Sequence, residues 1–200
     1  MPRSISQPGV TTVERILDVA ERLAQTRGFN GFSYADISVE VGITKASLHY
    51  HFPTKADLGR ALVSRYTDAF QRALAGINAS EADAPTKLQR YAQIYRQVLD
   101  ADRMCLCGMF AAEYATLPDA VQQELRRFFD ENERWLVEVL EQGRREGSLR
   151  FEGTPRGISS LLTGALEGSM LLARSYGDGS QFGVAVEQLL ATLSPPTGTA

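Results

Sequence analysis

The most restrictive feature of this sequence lies between residues 33 and 58, where helix starts and stops follow one another too closely for anything but short helices. Ser33 is followed three residues later by Asp36, the spacing at which each side chain satisfies the other's free backbone donor. That segment stops at Gly42. Thr44 can cap a second helix, which runs to Phe52 and is stopped by Pro53, and Thr54 with Asp57 opens a third. The same box, Thr11 with Glu14, opens an earlier helix. Its apolar stripe is Val13, Ile16, Leu17, Ala20, Leu23 and Ala24, and Gly28 sits at the C-cap position. Two helices, Tyr34–Val41 and Lys45–Phe52, are thus joined by only Gly42, Ile43 and Thr44. Glycine permits the sharp reversal of a helix-turn-helix. Ala35 allows close approach, and Ile37, Val41, Ile43, Leu48 and Phe52 supply a small shared core.

The rest of the chain is helical in pattern and has no alternating strand run. A long helix from Thr54 to about Ile77 carries Leu58, Leu62, Tyr66 and Ala69, and a linker is expected over residues 78–85. Further helices are expected over 86–101, 104–117, 119–146, 155–176 and 180–193, with Pro155 at a first helical turn. The expected fold is all-α, with about nine helices. A three-helix N-terminal domain (11–60) precedes a larger helical domain (61–193), between a flexible arm (1–10) and a disordered tail (194–200). At 44% hydrophobic content, 200 residues can bury a real core. The net charge of −3 excludes a uniformly basic coat but not a local basic patch. Residues 1–60 hold seven Lys or Arg against six Asp or Glu. The polar N-terminus offers no apolar signal core, and the most apolar stretch, 161–173, is short and interrupted by Glu167. A cytoplasmic protein is expected, and its two cysteines suit a reducing compartment.

The second short helix can be laid out at about 100° per residue. With Leu48 inward, Phe52 is also buried, Ala46 and Tyr50 point outward, and Ser47 and His49 lie on the flanks. That outer face has donors and no carboxylate, which suits the major groove of a duplex. Lys45, His51 and Lys55 can reach phosphates, and the helix starts at Ser33 and Thr54 can offer backbone N–H groups to them. Tyr34 and Thr44 complete the expected DNA-contact set.

The matching residues are Tyr34-Ala35-Asp36-Ile37, the run from Val41 to Leu48, and the run from His51 to Leu58, preceded by Arg27-Gly28-Phe29-Asn30-Gly31-Phe32-Ser33. In these residues the chain resembles the TetR family of bacterial transcriptional repressors. The likeness is specific over about residues 11–60 and beyond them rests on helix count and order. His49 stands where the family usually has tyrosine. The resemblance implies an all-helical homodimer whose two recognition helices enter successive major grooves. The half-sites of its palindromic operator then lie roughly 34–36 Å apart.

The resemblance also implies dimerisation through the last two helices. The residues expected there are Leu161, Gly164, Ala165, Gly168, Leu172, Phe182, Val186, Leu189 and Leu190, with small residues one turn apart allowing close helix approach. The middle helices are expected to enclose a cavity for an unidentified small-molecule effector, lined by Tyr91, Tyr95, Met104, Cys107, Phe110, Glu113, Tyr114, Phe128, Asn132 and Trp135. Glu167 is either a rim residue of the dimer interface, the favoured reading, or a polar group of the pocket.

Three functions compete. The favoured one is a ligand-responsive regulator, a repressor released from its operator by a small molecule. The second is a redox- or electrophile-sensing regulator using Cys105 or Cys107 near a helix start, where the dipole favours a thiolate. On an intact helix these two point to opposite faces, Cys107 inward and Cys105 toward another element or solvent, so a mutual disulfide is not expected. The third is a helical enzyme with an incidental helix-turn-helix. The sequence argues against it, having no Gly-rich phosphate loop and no nucleophile elbow. Neither a cofactor nor a zinc site is expected, because the only histidines, His49 and His51, sit on the expected DNA face.

Overall fold

The computed structural model describes residues 11–80 and 83–195, which form nine α-helices, one short 3-10 turn and no strand. They are α1 (Thr12–Arg27), α2 (Tyr34–Val41), α3 (Lys45–His51), α4 (Lys55–Ala79), α5 (Ala84–Asp100), α6 (Leu106–Ala112), α7 (Asp119–Glu146), α8 (Pro155–Tyr176) and α9 (Ser180–Ala191), with the 3-10 turn at Tyr114–Thr116. None of these helices is long and apolar enough to cross a membrane. The helix starts are where the caps put them. The boxes Thr11/Glu14 and Ser33/Asp36 are both closed, and Thr44 Oγ1 accepts from the Ser47 amide at 3.1 Å. The expected linker is shorter than the sequence suggested, because α4 continues through Ala79 and α5 already starts at Ala84, capped by Asp83. Residues 1–10 and most of the C-terminal tail lie outside the described residues.

The described chain forms two compact units. The first takes residues 11–67 together with 106–126, so it reaches past residue 60 and recruits α6, the 3-10 turn and the start of α7. The second takes residues 68–80, 83–105 and 127–195.

In the first unit, Ile16, Leu23, Ile37, Leu48, Leu58, Leu62, Cys107 and Phe110 are almost wholly buried. The α2–α3 turn depends on Gly42, whose φ of +76° is left-handed; its amide donates to the Ser38 carbonyl at 3.0 Å and closes α2. Of α3's own seven residues only Leu48 is fully buried, with Phe52 just beyond the helix end. Two such side chains contribute roughly 3–6 kcal/mol, while ordering a backbone costs about 1–2 kcal/mol per residue. Apolar burial alone does not hold α3, and polar tethers are needed. Several tie this unit together. Arg15 donates to the Val41 carbonyl, Arg22 pairs with Glu40, and Arg65 reaches Asp18 at 2.7 Å and Glu21 at 2.6 Å. The Tyr34 hydroxyl lies 2.8 and 2.7 Å from the carbonyls of Phe52 and Thr54, across the end of α3.

In the second unit, α5, α8 and α9 pack together with the rear half of α7. Its core includes Leu88, Tyr91, Tyr95, Phe128, Leu136, Leu140, Leu162, Leu166 and Met170.

Gly59 marks the tightest approach to α4 in the first unit. A Cβ there would meet the Phe29 ring at 2.7 Å and the Val121 side chain at 3.1 Å, both firmly packed. Gly59→Ala is expected to destabilise the protein by about 1–3 kcal/mol despite alanine's better helix propensity. Thermal unfolding followed by circular dichroism should show a Tm several degrees lower; an unchanged or higher Tm would mean that this packing is loose.

Candidate nucleic-acid interface and buried polar cluster

The recognition face follows from how α3 is anchored. With Leu48 fully buried and Phe52 beneath the helix end, Lys45, Ala46, His49 and Tyr50 are exposed, and Tyr50 retains 84% of its surface. Ser47 and His51 are half-buried. His49 is held by two contacts, its Nδ1 being 3.1 Å from the Pro53 carbonyl and its ring centroid 4.7 Å from that of Tyr34. His51 packs edge-on against Tyr50 at 5.3 Å. The helix thus presents a cationic start, a small residue and two aromatic or imidazole rings, with no carboxylate, as the wheel indicated.

Several expected contacts turn out to serve the fold. Lys55 is the clearest correction. Its ammonium donates to the Phe32 carbonyl and lies over the rings of Phe32 and Phe29, 4.5 and 4.8 Å from their centroids. Burial pulls its pKa down, against the opposing pull of Glu113 and Asp36. It is therefore not a free cation waiting for phosphate, because its ammonium is held by the Phe32 carbonyl and two ring faces, contacts that offset its lost solvation. The Ser33 and Thr54 hydroxyls donate to their capping partners Asp36 and Asp57 at 2.6 and 2.7 Å. The Tyr34 hydroxyl, committed to two carbonyls, is pushed up to about 12, chiefly by burial.

The expected effector-lining residues divide between the two units. Tyr91, Tyr95, Met104, Phe128, Asn132 and Trp135 belong to the second unit, whereas Cys107, Phe110, Glu113 and Tyr114 belong to the first. Phe110 packs edge-on against Phe29 with centroids 5.2 Å apart. Glu113 accepts from the Asn30 amide at 3.1 Å and rests against Gly28, whose φ of +82° and missing Cβ leave room for the carboxylate. Tyr114 is exposed, its hydroxyl accepting from Arg126 Nε at 2.9 Å. Phe110 and Glu113 thus support the turn before α2. No local pattern could have revealed this, since the partners are more than 80 residues apart.

Within the second unit, five aromatic side chains lie ring against ring. Phe70 touches Tyr91, Tyr95 and Phe128 at centroid distances of 5.9, 6.0 and 5.2 Å, and Tyr91 stacks on Trp135 at 5.5 Å with 18° between planes. The Tyr91 and Tyr95 hydroxyls are 3.1 Å apart, and Tyr91 also reaches Asn132 at 3.4 Å and bonds Thr163. Burial drives both tyrosines well above their ordinary range.

Glu167 has the inward setting of a pocket polar group rather than the favoured rim position. Its carboxyl is enclosed, accepts a hydrogen bond from the Cys105 thiol, and interacts electrostatically with Tyr91 and Tyr95. Desolvation pushes its pKa up to about 7, with the Cys105 bond pulling the other way. Glu167 Oε1 and Trp135 Nε1 are both shielded from solvent without a hydrogen-bond partner among the described residues.

The cysteines also differ from expectation. Because α6 starts at Leu106, Cys105 precedes the helix rather than riding on it, and both thiols are buried. No group of three or more His, Cys, Asp or Glu among the described residues could hold a metal ion.

On α8, Leu161, Leu171 and Leu172 keep 56%, 54% and 58% of their surface and Gly164 is open, as is Val184 on α9. Ala165, Gly168, Val186, Leu189 and Leu190 are half-buried. Phe182 is the exception in the expected interface set. It is 2% exposed, a core residue of the second unit that anchors α9.

Comparison with known proteins accords with this architecture. Residues 16–62 match the family model of bacterial regulatory proteins of the tetR family, and residues 84–189 match that of the tetracyclin repressor-like C-terminal domain. The chain is similar to a TetR family transcriptional regulator from Agrobacterium tumefaciens, with 35% identity, 92% of this chain and 98% of that one covered, and a TM-score of 0.89. A TetR transcriptional regulator from Legionella pneumophila is also 35% identical, with 94% and 100% covered and a TM-score of 0.85. Nucleoid occlusion factor SlmA of Photobacterium profundum is 25% identical over 160 residues, which span 78% of this chain and 81% of SlmA. With its front and rear regions both matched and a helix-turn-helix facing outward at Tyr50, the chain belongs to the TetR family of transcriptional regulators.

Proposed function

We propose that the protein is a cytoplasmic, ligand-responsive repressor that binds a palindromic operator as a homodimer and is released from it by a small molecule. The observation that carries this reading is the orientation of α3, which buries Leu48 and leaves Lys45, Ala46, His49 and Tyr50 exposed. In this arrangement Tyr50 and Ala46 meet base edges in the major groove. Lys45 and His51 meet phosphates, joined by backbone N–H groups at the starts of α2 and α4. Ser33, Thr44 and Thr54 act mainly by holding the helix ends that carry those donors.

The dimer reading rests on the stripe Leu161, Gly164, Leu171 and Leu172. Three large apolar side chains left more than half open on one helix are a partner surface rather than a solvated face. Gly164 and Gly168 allow the backbones to approach, and a two-fold axis fits two identical α3 helices to two half-sites. The effector acts on a two-state equilibrium by binding the arrangement whose recognition helices miss the groove spacing. By linkage, operator and effector then weaken each other by the same factor.

Sequences selected from random duplex DNA provide the test. The expected consensus is palindromic with half-sites one turn apart; failure to enrich any duplex would refute the reading. Tyr50→Ala should lower affinity unequally across single-base variants of the selected site, by about 1–3 kcal/mol at the bases it reads and little elsewhere. Lys45→Ala should weaken all sequences alike and reduce the salt slope by about one. Lys55→Ala, by contrast, should lower Tm and leave the salt slope unaltered. For the dimer, Leu172→Glu should yield a monomer by analytical ultracentrifugation with little retained operator binding; a dimer persisting at wild-type strength would move the interface elsewhere.

A further inference from the structure

Two polar groups in the second unit, Glu167 Oε1 and Trp135 Nε1, are enclosed and lack a partner among the described residues, and both belong to one cluster. Trp135 stacks on Tyr91; Tyr91 bonds Tyr95 and Thr163; both tyrosines feel the charge of Glu167; and Glu167 accepts from Cys105. An unpaired polar atom in such a place costs about 1–3 kcal/mol, and more when it is charged. A carboxylate enclosed in the same cluster as Tyr91, Tyr95 and Trp135, with one oxygen still unused, has the makings of a cation site, since ring faces are negative and attract positive charge. A second anion in this place would be repelled by about 4 kcal/mol at 4 Å and an effective dielectric constant near 20.

We propose that this cluster recognises an organic cation with an apolar body. The Glu167 carboxylate takes the positive charge, and the rings of Tyr91, Tyr95 and Trp135 take the surrounding methyl or methylene groups. As the identity of the effector class, this rests on the ligand-responsive reading given above; as a binding site, it stands without it. The Trp135 N–H offers a donor to a polar group elsewhere on the guest. The rings pack at contact distance, so a guest enters by parting α5, α7 and α8 side chains. Occupancy is thereby coupled to how those helices pack within the unit. The titratable groups facing Glu167 are the Cys105 thiol, from the segment after α5, and the hydroxyls of Tyr91 and Tyr95 on α5 itself; α7 contributes the uncharged Asn132 and Trp135 and α8 the uncharged Thr163.

Trp135 is the only tryptophan, so intrinsic fluorescence reports on the site in the full-length protein. Benzyltrimethylammonium, neutral N,N-dimethylphenylacetamide and anionic 3-phenylpropionate serve as probes of similar size. The cation is expected to perturb the emission saturably, at least tenfold more tightly than either other probe. Between pH 8 and pH 6 its affinity should fall about tenfold, because protonation of Glu167 through its raised range removes the charge it pairs with. Glu167→Gln should abolish both the preference and the pH dependence while leaving circular dichroism and operator affinity unchanged. Equal response to all three probes, tighter binding of the anion, no saturable response to any, or a flat pH profile in the wild-type protein would each overturn the proposal; the last needs no variant. Operator mobility shifts separate this result from the effector reading. Cation binding without operator release would sink the effector reading and leave the site, whereas release by the neutral or anionic probe alone would do the reverse.

Discussion

A helix of seven residues does not hold its shape in water on its own, because helix nucleation fixes several residues for the first hydrogen bond and α3 ends before enough bonds follow. Everything the protein does on DNA nonetheless depends on where α3 points. Its orientation is imposed from outside by four constraints acting at different places. Leu48 is buried in the unit's core, the left-handed Gly42 sets the angle from α2, Thr44 satisfies the free amide of Ser47, and the Tyr34 hydroxyl holds the carbonyls of Phe52 and Thr54. Because these anchors lie on the inner face and at the two ends, the outer face is left without structural duty. Lys45, Ala46 and Tyr50 are free for recognition for that reason.

The anchors of α3 are themselves held by a wider frame. Lys55 sits on Phe29 and Phe32, Phe29 packs on Phe110, and Glu113 grips the Asn30 amide over Gly28. The unit that carries the recognition helix therefore includes a segment, 106–126, that the chain reaches only after passing through the second unit. Any shift of α6 is felt at the turn that precedes α2. The close packing at Gly59, where no Cβ fits between Phe29 and Val121, makes this part of the frame stiff rather than compliant.

Much of this was legible in the sequence because it is local. Capping boxes, the proline at the start of α8 and the apolar periodicity of α1 and α7 act within a few residues, so the limits of α2, α7 and α8 could be read directly. The wheel of α3 was equally readable, since one buried leucine fixes the phase of a single short helix. What escaped were contacts without a local signature. Lys55 looks like a free cation until Phe29 and Phe32 are seen beneath it. Glu113 looks like pocket lining until its partner is found at Asn30. Glu167 looks like a rim residue because an apolar helix usually turns its one carboxylate outward. Phe182, read as an interface residue from its place on the last helix, is core because α9 uses it to dock within the second unit.

That last misreading of Glu167 is instructive about why the residue is there at all. Alanine or leucine at the same position of α8 would bury more cheaply, as the raised pKa shows that the ionised form is disfavoured where it sits. The one bond it receives, from the Cys105 thiol, is weak and leaves its second oxygen unanswered. Packing alone gives no reason to keep such a group. A partner that arrives only at times does, because the group then lowers the stability of the empty state and strengthens the occupied one. The resulting difference is the quantity a two-state regulator needs if a small molecule is to move it between arrangements.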